Sequence, residues 1–163
     1  MNRRNLVGKW LLIMALSLMP VTDTANAQSD TEPATGGTVY VSVYSRIFAG
    51  PKAVTVSLTA LMSMRNTDPQ FPITILSVDY YDCEGKKIRS LIEKPIEVRP
   101  LGSTHQYLDE KHTAGGPGAN FIVKWRSQNP VNKPIIEAIM SDTSGTLGLC
   151  FRCPGREITE HGE

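Results

Sequence analysis

Two segments in which apolar and polar residues alternate strictly constrain the fold more than any other feature. In "TVYVSVYSRIF", residues 38–48, the valines fall on one face of an extended chain, whereas Tyr40 and Tyr44 fall on the other. The segment "AVTVSLTALMSMR", residues 53–65, repeats the pattern, with Val54 the first of the residues expected to face inward. A period of two predicts β-strands that bury one face and expose the other.

Turn-forming residues divide the rest of the chain into further short apolar segments. "NTDPQFP" and "DCEG" combine Asn, Asp, Pro and Gly, the residue types that stop strand pairing and cap tight turns. Short strands divided at regular intervals by such turns are typical of antiparallel sandwiches. We therefore expect an all-β fold, a single immunoglobulin-like antiparallel β-sandwich of seven or eight strands, with a small barrel as the alternative.

The first 27 residues have the pattern of a secretory signal peptide. Arg3 and Arg4 precede the apolar run "WLLIMALSLM", and the small-x-small sequence "ANA" ends at Ala27. The run is too short to cross a bilayer, which takes about 20 apolar residues. We expect cleavage after Ala27, a periplasmic or secreted protein, and no membrane span in the mature chain; Sec and twin-arginine export both stay open. The expected divisions are a signal peptide (1–27), a flexible polar leader (28–37), the β-sandwich domain (38–155) and a polar C-terminal tail (156–163).

The mature chain has almost no net charge. The segment up to Ala27 holds three of the 17 basic and one of the 16 acidic residues, which leaves 14 and 15, a net charge of −1. A balance of this kind predicts no partner that is a nucleic acid, because such partners need a basic surface.

The glycine-rich segment "GGPGANF" raises the possibility of a phosphate-binding loop. It lacks the Lys-Ser/Thr pair of a P-loop, and a strand rather than a helix is expected to follow it. A turn between strands is the better interpretation, with Asn120 at its end as a candidate ligand contact.

The three cysteines, Cys83, Cys150 and Cys153, are disulfide candidates because export leads to an oxidising compartment. Cys150 and Cys153 form a C-x-x-C sequence, but in a regular strand they point to opposite faces. A bend at Arg152 would allow them to pair; a bond from Cys83 to either of them, and free thiols, are the alternatives. No histidine nearby completes a zinc site, so we expect no metal.

Four other side chains are ligand-binding candidates. Tyr40 and Tyr44 are expected to lie exposed on one strand face, where aromatic rings stack on sugars or pack in protein interfaces. Asp79 and Tyr81 share a strand face, and with Asn120 they would form a site for a small ligand or a cation. No nucleophile elbow or histidine-centred arrangement is present in the sequence, so we expect no catalytic residue, no enzyme and no cofactor.

The segments "YVSVYSRIF", "SMRNTDPQFPITILSVDYYDCEGKKI", "GGPGANFIVKW" and "IIEAIMSDTSG" together resemble one uncharacterised bacterial family. Its members are small exported or lipid-anchored proteins, catalogued only as a domain of unknown function. The resemblance, over residues 40–145, implies an envelope location and an all-β domain, and no catalytic or ligand residues come with it. The function expected is a non-catalytic binding or interaction module of the cell envelope, with an unknown envelope protein or a glycan as partner. The alternatives are a thiol-disulfide redox or chaperone protein that uses "CFRC", and a small-ligand or cation binder.

Overall fold

The computed structural model describes residues 32–109, 113–142 and 148–160, and strands account for most of them. The predicted signal peptide, residues 28–31 of the predicted leader and residues 161–163 of the predicted tail lie outside this part of the chain. A short 3-10 helix, Thr113–Gly118, precedes the ninth strand. The strands are β1 (Ala34–Ser42), β2 (Arg46–Ala49), β3 (Val54–Ser57), β4 (Thr59–Arg65), β5 (Ile73–Tyr81), β6 (Lys87–Ser90), β7 (Ile96–Val98), β8 (Ser103–Leu108), β9 (Asn120–Val131), β10 (Ile135–Asp142), β11 (Leu149–Pro154) and β12 (Arg156–Ile158).

Two antiparallel sheets enclose the hydrophobic core. The larger sheet has the order β12-β1-β9-β5-β6, with β7 also paired to β5, and the smaller has the order β11-β10-β4-β8. Alternate residues of each strand point between the sheets, as the period of two predicts. The larger sheet contributes Val39, Val41, Val78, Tyr80, Phe121, Val123 and Trp125, and the smaller contributes Ala60, Met62, Met64, Ala138 and Met140.

The predicted fold class, an all-β antiparallel sandwich, is confirmed, but the number of strands is larger than seven or eight. Twelve strands occur in the part of the chain that the structure describes, because several short edge and hairpin strands pair separately. The immunoglobulin-like arrangement stays a prediction. No helix within the described ranges is long and apolar enough to cross a membrane.

The alternating segment 38–48 forms two strands rather than one. The chain leaves β1 after Ser42, and at Ser45 both the amide and the hydroxyl donate to the carbonyl of Gly116, at 3.3 and 3.0 Å. Leu58 donates its amide to the Ser45 carbonyl at 3.0 Å, so the second alternating segment is also interrupted at this point, between β3 and β4. Between these two points β2 and β3 form a separate two-stranded sheet.

Strands extend beyond the boundaries predicted at residues 38 and 155 at both ends. β1 begins at Ala34, and the glycines of "TGG" pair with β9, Gly36 opposite Arg126 and Gly37 opposite Trp125. A side chain at Gly36 would place its Cβ 2.9 Å from the Trp125 carbonyl oxygen, so glycine here permits close strand pairing rather than flexibility. At the other end, β12 lies in the predicted tail and pairs with β1.

The chain crosses from the smaller sheet to the larger sheet at Gly155, the one residue between β11 and β12. Its amide donates to the carbonyl of Ile136 at 2.8 Å. A Cβ at this position would lie 2.5 Å from the Ile136 oxygen and 2.6 Å from Cγ1 of Val39. The crossing is therefore packed too tightly for any other residue, and it joins the two sheets at one edge of the sandwich.

Candidate functional site

A pocket of about 580 Å³ opens beside this crossing, between the two sheets. Its volume lies within the range of about 300–1,000 Å³ that is usual for small-molecule sites. The strands β1, β9 and β12 line one side, and β10, β11 and the preceding turn line the other. The side chains and backbone that line it belong to Val39, Thr67, Trp125, Asn132, Lys133, Pro134, Ile135, Ile136, Glu137, Arg152, Pro154, Gly155 and Glu157.

The floor of the pocket is apolar. Trp125, Val39 and Ile136 point inward from three different strands and are almost fully buried. Gly37 allows two polar atoms to approach this floor, because a Cβ there would lie 2.8 Å from Glu157 Oε1 and 3.2 Å from Trp125 Nε1. The indole edge of Trp125 and the Glu157 carboxylate therefore both lie close to Gly37, where there is no side chain to keep them apart.

Two ion pairs form the polar rim. Lys133, on the β9–β10 turn, pairs with Glu157 on β12. On the smaller sheet, Arg152 Nη1 lies 3.0 Å from Glu137 Oε2. The Arg152 side chain is 65% exposed and that of Glu137 only 11%, so the guanidinium faces solvent above an already neutralised carboxylate.

Buried hydrogen bonds of the predicted turn "NTDPQFP" hold this rim in place. The Asn66 side-chain amide donates to the carbonyls of Phe71 (2.9 Å), Val98 (3.2 Å) and Arg99 (3.1 Å), and its oxygen accepts from the Asp68 amide (3.0 Å). Asn66 therefore ties its own turn to the β7–β8 turn. The prediction that Asn and Asp cap this turn is confirmed.

The same turn is tied to the rim through two further contacts. Thr67 Oγ1 donates to the Lys133 carbonyl at 2.9 Å, and Asp68 Oδ2 accepts from the Asn132 amide at 3.1 Å. The other Asp68 oxygen accepts the amides of residues 70 and 71, both at 2.9 Å. The bonds from Phe71 and Gln70, with that from Asn132, lower the pKa of Asp68 despite its burial, because they stabilise the carboxylate.

Four of the predicted ligand residues lie together on the outer face of the larger sheet, away from the pocket. Tyr40 and Asp79 flank Ile122 on adjacent strands, and Tyr81 lies opposite Asn120 in the next row. All four side chains are partly exposed. The structure therefore places Tyr40 on the same surface as Asp79, Tyr81 and Asn120, although the sequence suggested two separate candidate sites.

The Asp79 carboxylate in this face is already satisfied. It lies 2.8 Å from Lys87 Nζ and accepts a 2.6 Å bond from the Ser90 hydroxyl. Burial opposes its ionisation, but the bonds from Lys87 and Ser90 and the charges of Lys87 and Lys124 lower the pKa of Asp79 overall. Within the described ranges, no three His, Cys, Asp or Glu side chains are grouped closely enough to hold a metal ion.

Tyr44 does not share a face with Tyr40. It lies between β1 and β2 and packs against Phe151 of the smaller sheet, with ring centroids 5.9 Å apart and planes at 58°. Because Phe151 is paired with the buried Met140, this aromatic contact belongs to the margin of the core. The expectation of an exposed pair of tyrosines was wrong, since the strand that would have aligned them ends at Ser42.

No disulfide joins the cysteines in the structure; all three are free thiols, which is one of the alternatives that the sequence left open. β11 continues without a bend through Arg152, so Cys150 lies opposite Ser141 and Cys153 opposite the buried Ala138. Their side chains point to opposite faces, as in any regular strand. Burial raises the pKa of Cys153, which disfavours the reactive thiolate.

The glycine-rich segment forms a tight connection, as predicted, rather than a phosphate loop. A Cβ at Gly115 would lie 2.1 Å from the buried Tyr80 hydroxyl oxygen, and Gly116 adopts a φ of 72°. These glycines let the connection fold closely over the end of the core.

Sequence reasoning missed the pocket because its parts are far apart in the chain. Lys133 and Glu157 are 24 positions apart, and Arg152 and Glu137 are 15 apart. The one local signal was Pro154-Gly155, which ends β11 and marks the crossing between sheets.

Comparisons with known proteins show the family of this chain. A crystal structure of a Thermotoga maritima protein is similar to 74% of this chain and 92% of its own, with 12% identity and a TM-score of 0.45. No curated protein matches the sequence. The family of proteins of unknown function DUF3124 matches residues 36–158, almost the whole sandwich, and the chain belongs to that family.

Proposed function

We propose that this protein is an exported, non-catalytic binding module of the bacterial cell envelope, and that its pocket takes a small amphipathic molecule with an anionic group. The pattern of the first 27 residues supports export. The pocket beside the sheet crossing is the observation that carries the proposal, because it combines an apolar floor with a charged rim.

The floor selects the apolar part of the ligand. Trp125, Val39 and Ile136 come from both sheets, so a ligand resting on them is enclosed from two sides. Burial of apolar surface is favourable by about 25 cal/mol per Å², and it supplies affinity without a specific polar contact.

The rim selects the charge of the ligand. Only Nη1 of the Arg152 guanidinium contacts Glu137, and the group is largely exposed, so its other N–H groups remain directed toward solvent or a ligand. A carboxylate, sulfonate or phosphate accepts two parallel bonds from such a group. Lys133, on the β9–β10 turn, adds a second cation to the rim.

A thiol-disulfide activity is not proposed, because the arrangement of the thiols opposes it. An active C-x-x-C places both sulfurs close together at a helix N-terminus, where the first thiol is acidified. Here the pair lies on a regular strand, and burial raises the pKa of Cys153.

The test uses the fluorescence of Trp125 with anilinonaphthalene sulfonate, an apolar anionic probe. Trp10 and Trp125 are the two tryptophans of the chain, so after cleavage at Ala27 the signal comes from the pocket alone. We expect saturable quenching of Trp125 and enhanced probe emission at a stoichiometry of one.

The matched variants are Arg152→Glu and Arg156→Glu, which make the same charge change four positions apart. Arg156 is exposed and lies opposite Tyr40 on the outer face. Arg152→Glu should weaken probe binding about tenfold or more, while Arg156→Glu leaves it unchanged. Equal affinity of both variants for the probe, or no saturable binding by the unmodified protein, would contradict the proposal.

A further inference from the structure

The β2–β3 hairpin, residues 46–57, leaves the sandwich and exposes an apolar end. Its two strands pair with each other and with neither large sheet. At the base, Ile47 and Val56 pack against the core. Toward the tip, Phe48 is 59% exposed and Val54 60% exposed, although both are large apolar residues. An isolated two-stranded hairpin gains little stability in water, so this exposed surface is not explained by folding.

The tip is a compact and defined structure. The Ala53 amide donates to the Gly50 carbonyl at 3.0 Å, which closes the turn. Gly50 and Ala53 both have positive φ, 71° and 49°. Alanine adopts this conformation only at some cost. Phe48 lies opposite Thr55 and Val54 lies opposite Ala49, so the two exposed side chains flank the tip from opposite faces of the hairpin.

The charge of the β2–β3 hairpin indicates which kind of surface its apolar end would bind. Arg46 and Lys52 belong to the hairpin, and no Asp or Glu occurs from residue 33 to residue 67. The hairpin itself therefore carries two positive charges and no negative charge. An apolar tip with flanking cations matches an anionic bilayer, whose interface accepts apolar side chains while Lys and Arg remain at the head groups.

We propose that the β2–β3 hairpin docks the protein on an anionic lipid surface, with Phe48 and Val54 entering the interface and Arg46 and Lys52 contacting the head groups. This interaction is separate from the pocket and does not depend on the proposed ligand. It anchors the domain at the surface of a membrane without spanning it.

The test is flotation of the purified protein with two kinds of vesicle, pure phosphatidylcholine and an equal mixture of phosphatidylcholine and phosphatidylglycerol. We expect binding to the anionic vesicles that weakens as salt is raised, because salt screens the head-group contacts. The double variant Phe48→Ser/Val54→Ser should bind at least about tenfold more weakly. Lys52→Glu should also weaken binding, and most strongly at low salt.

Tyr107→Ser is the matched control, because Tyr107 is equally exposed at 60% but lies on β8, outside the hairpin. It should bind the vesicles as the unmodified protein does. Thermal melting of each variant establishes that it is folded, and the exposed tip makes unfolding by these changes unexpected. The proposal is overturned if the unmodified protein ignores anionic vesicles, as it would if the hairpin met a protein partner, or if the double variant binds them equally well. Arg152→Glu should leave vesicle binding intact, which separates this result from the pocket.

Discussion

Replacing Asn66 with alanine should destabilise the protein by about 3 kcal/mol, because its two N–H groups and its oxygen make the equivalent of three hydrogen bonds of roughly 1 kcal/mol each. Asn66 is 2% exposed, and its two N–H groups are shared among three backbone carbonyls in two different turns. Its side-chain oxygen accepts the amide of Asp68. Alanine supplies none of these contacts and leaves buried backbone groups without their partner.

The measurement is equilibrium unfolding in urea, with the free energy obtained by linear extrapolation. Asn129→Ala is the matched control, since Asn129 is exposed on β9 and should lose no more than about 0.5 kcal/mol. Asn66→Ala should also weaken probe binding, because its turn holds Thr67 and Asn132 against the pocket rim. A loss of less than about 1 kcal/mol for Asn66→Ala would contradict this expectation, since it would mean that these bonds are readily replaced by water.

Three further predictions concern the sheet crossing, the thiols and the response to pH. Gly155→Ala should lower the melting temperature markedly, by the equivalent of about 2 kcal/mol or more, because its Cβ would lie 2.5 Å from the Ile136 oxygen. Reductant should leave the mass of the intact protein unchanged, because Cys150 and Cys153 point to opposite faces; a gain of two hydrogens would contradict this. Because the folded pKa of Asp68 is depressed, its stabilisation is present above the unfolded value of about 3.9 and is lost as pH falls through the folded pKa. Asp68→Asn should therefore be less stable than the unmodified protein at neutral pH, and the difference should shrink in acid unfolding experiments below about pH 4.

The alternating pattern predicted well which strand faces pack in the core, because burying one face of a sheet requires apolar residues at every second position. Val39 and Val41 are buried as expected, and so is Met62. Val54 is exposed instead, because it belongs to the separate β2–β3 hairpin and not to the sandwich. The sequence pattern is the same in both cases, and the bonds at Ser45 mark where the hairpin separates from the sandwich.

The candidate site was much less predictable than the fold. The pocket depends on which sheet each strand joins, and that is decided by long-range pairing such as β12 with β1. The sequence places Gly37 in a flexible leader and Gly155 at the end of the domain, although in the structure both let backbone and side chains approach closely. Local composition does not distinguish a glycine that gives the backbone conformational freedom from one that leaves room for a neighbouring group.

Native mass spectrometry of the protein exported by its own leader, purified without reductant, tests export and pocket binding in one measurement. We expect a chain that begins at Gln28, of which a fraction carries one bound small molecule. Arg152→Glu should lose that added mass, and Arg156→Glu should keep it. A chain that still begins at Met1 would contradict export, and an added mass that survives Arg152→Glu, or none in any form of the protein, would contradict the pocket as the binding site.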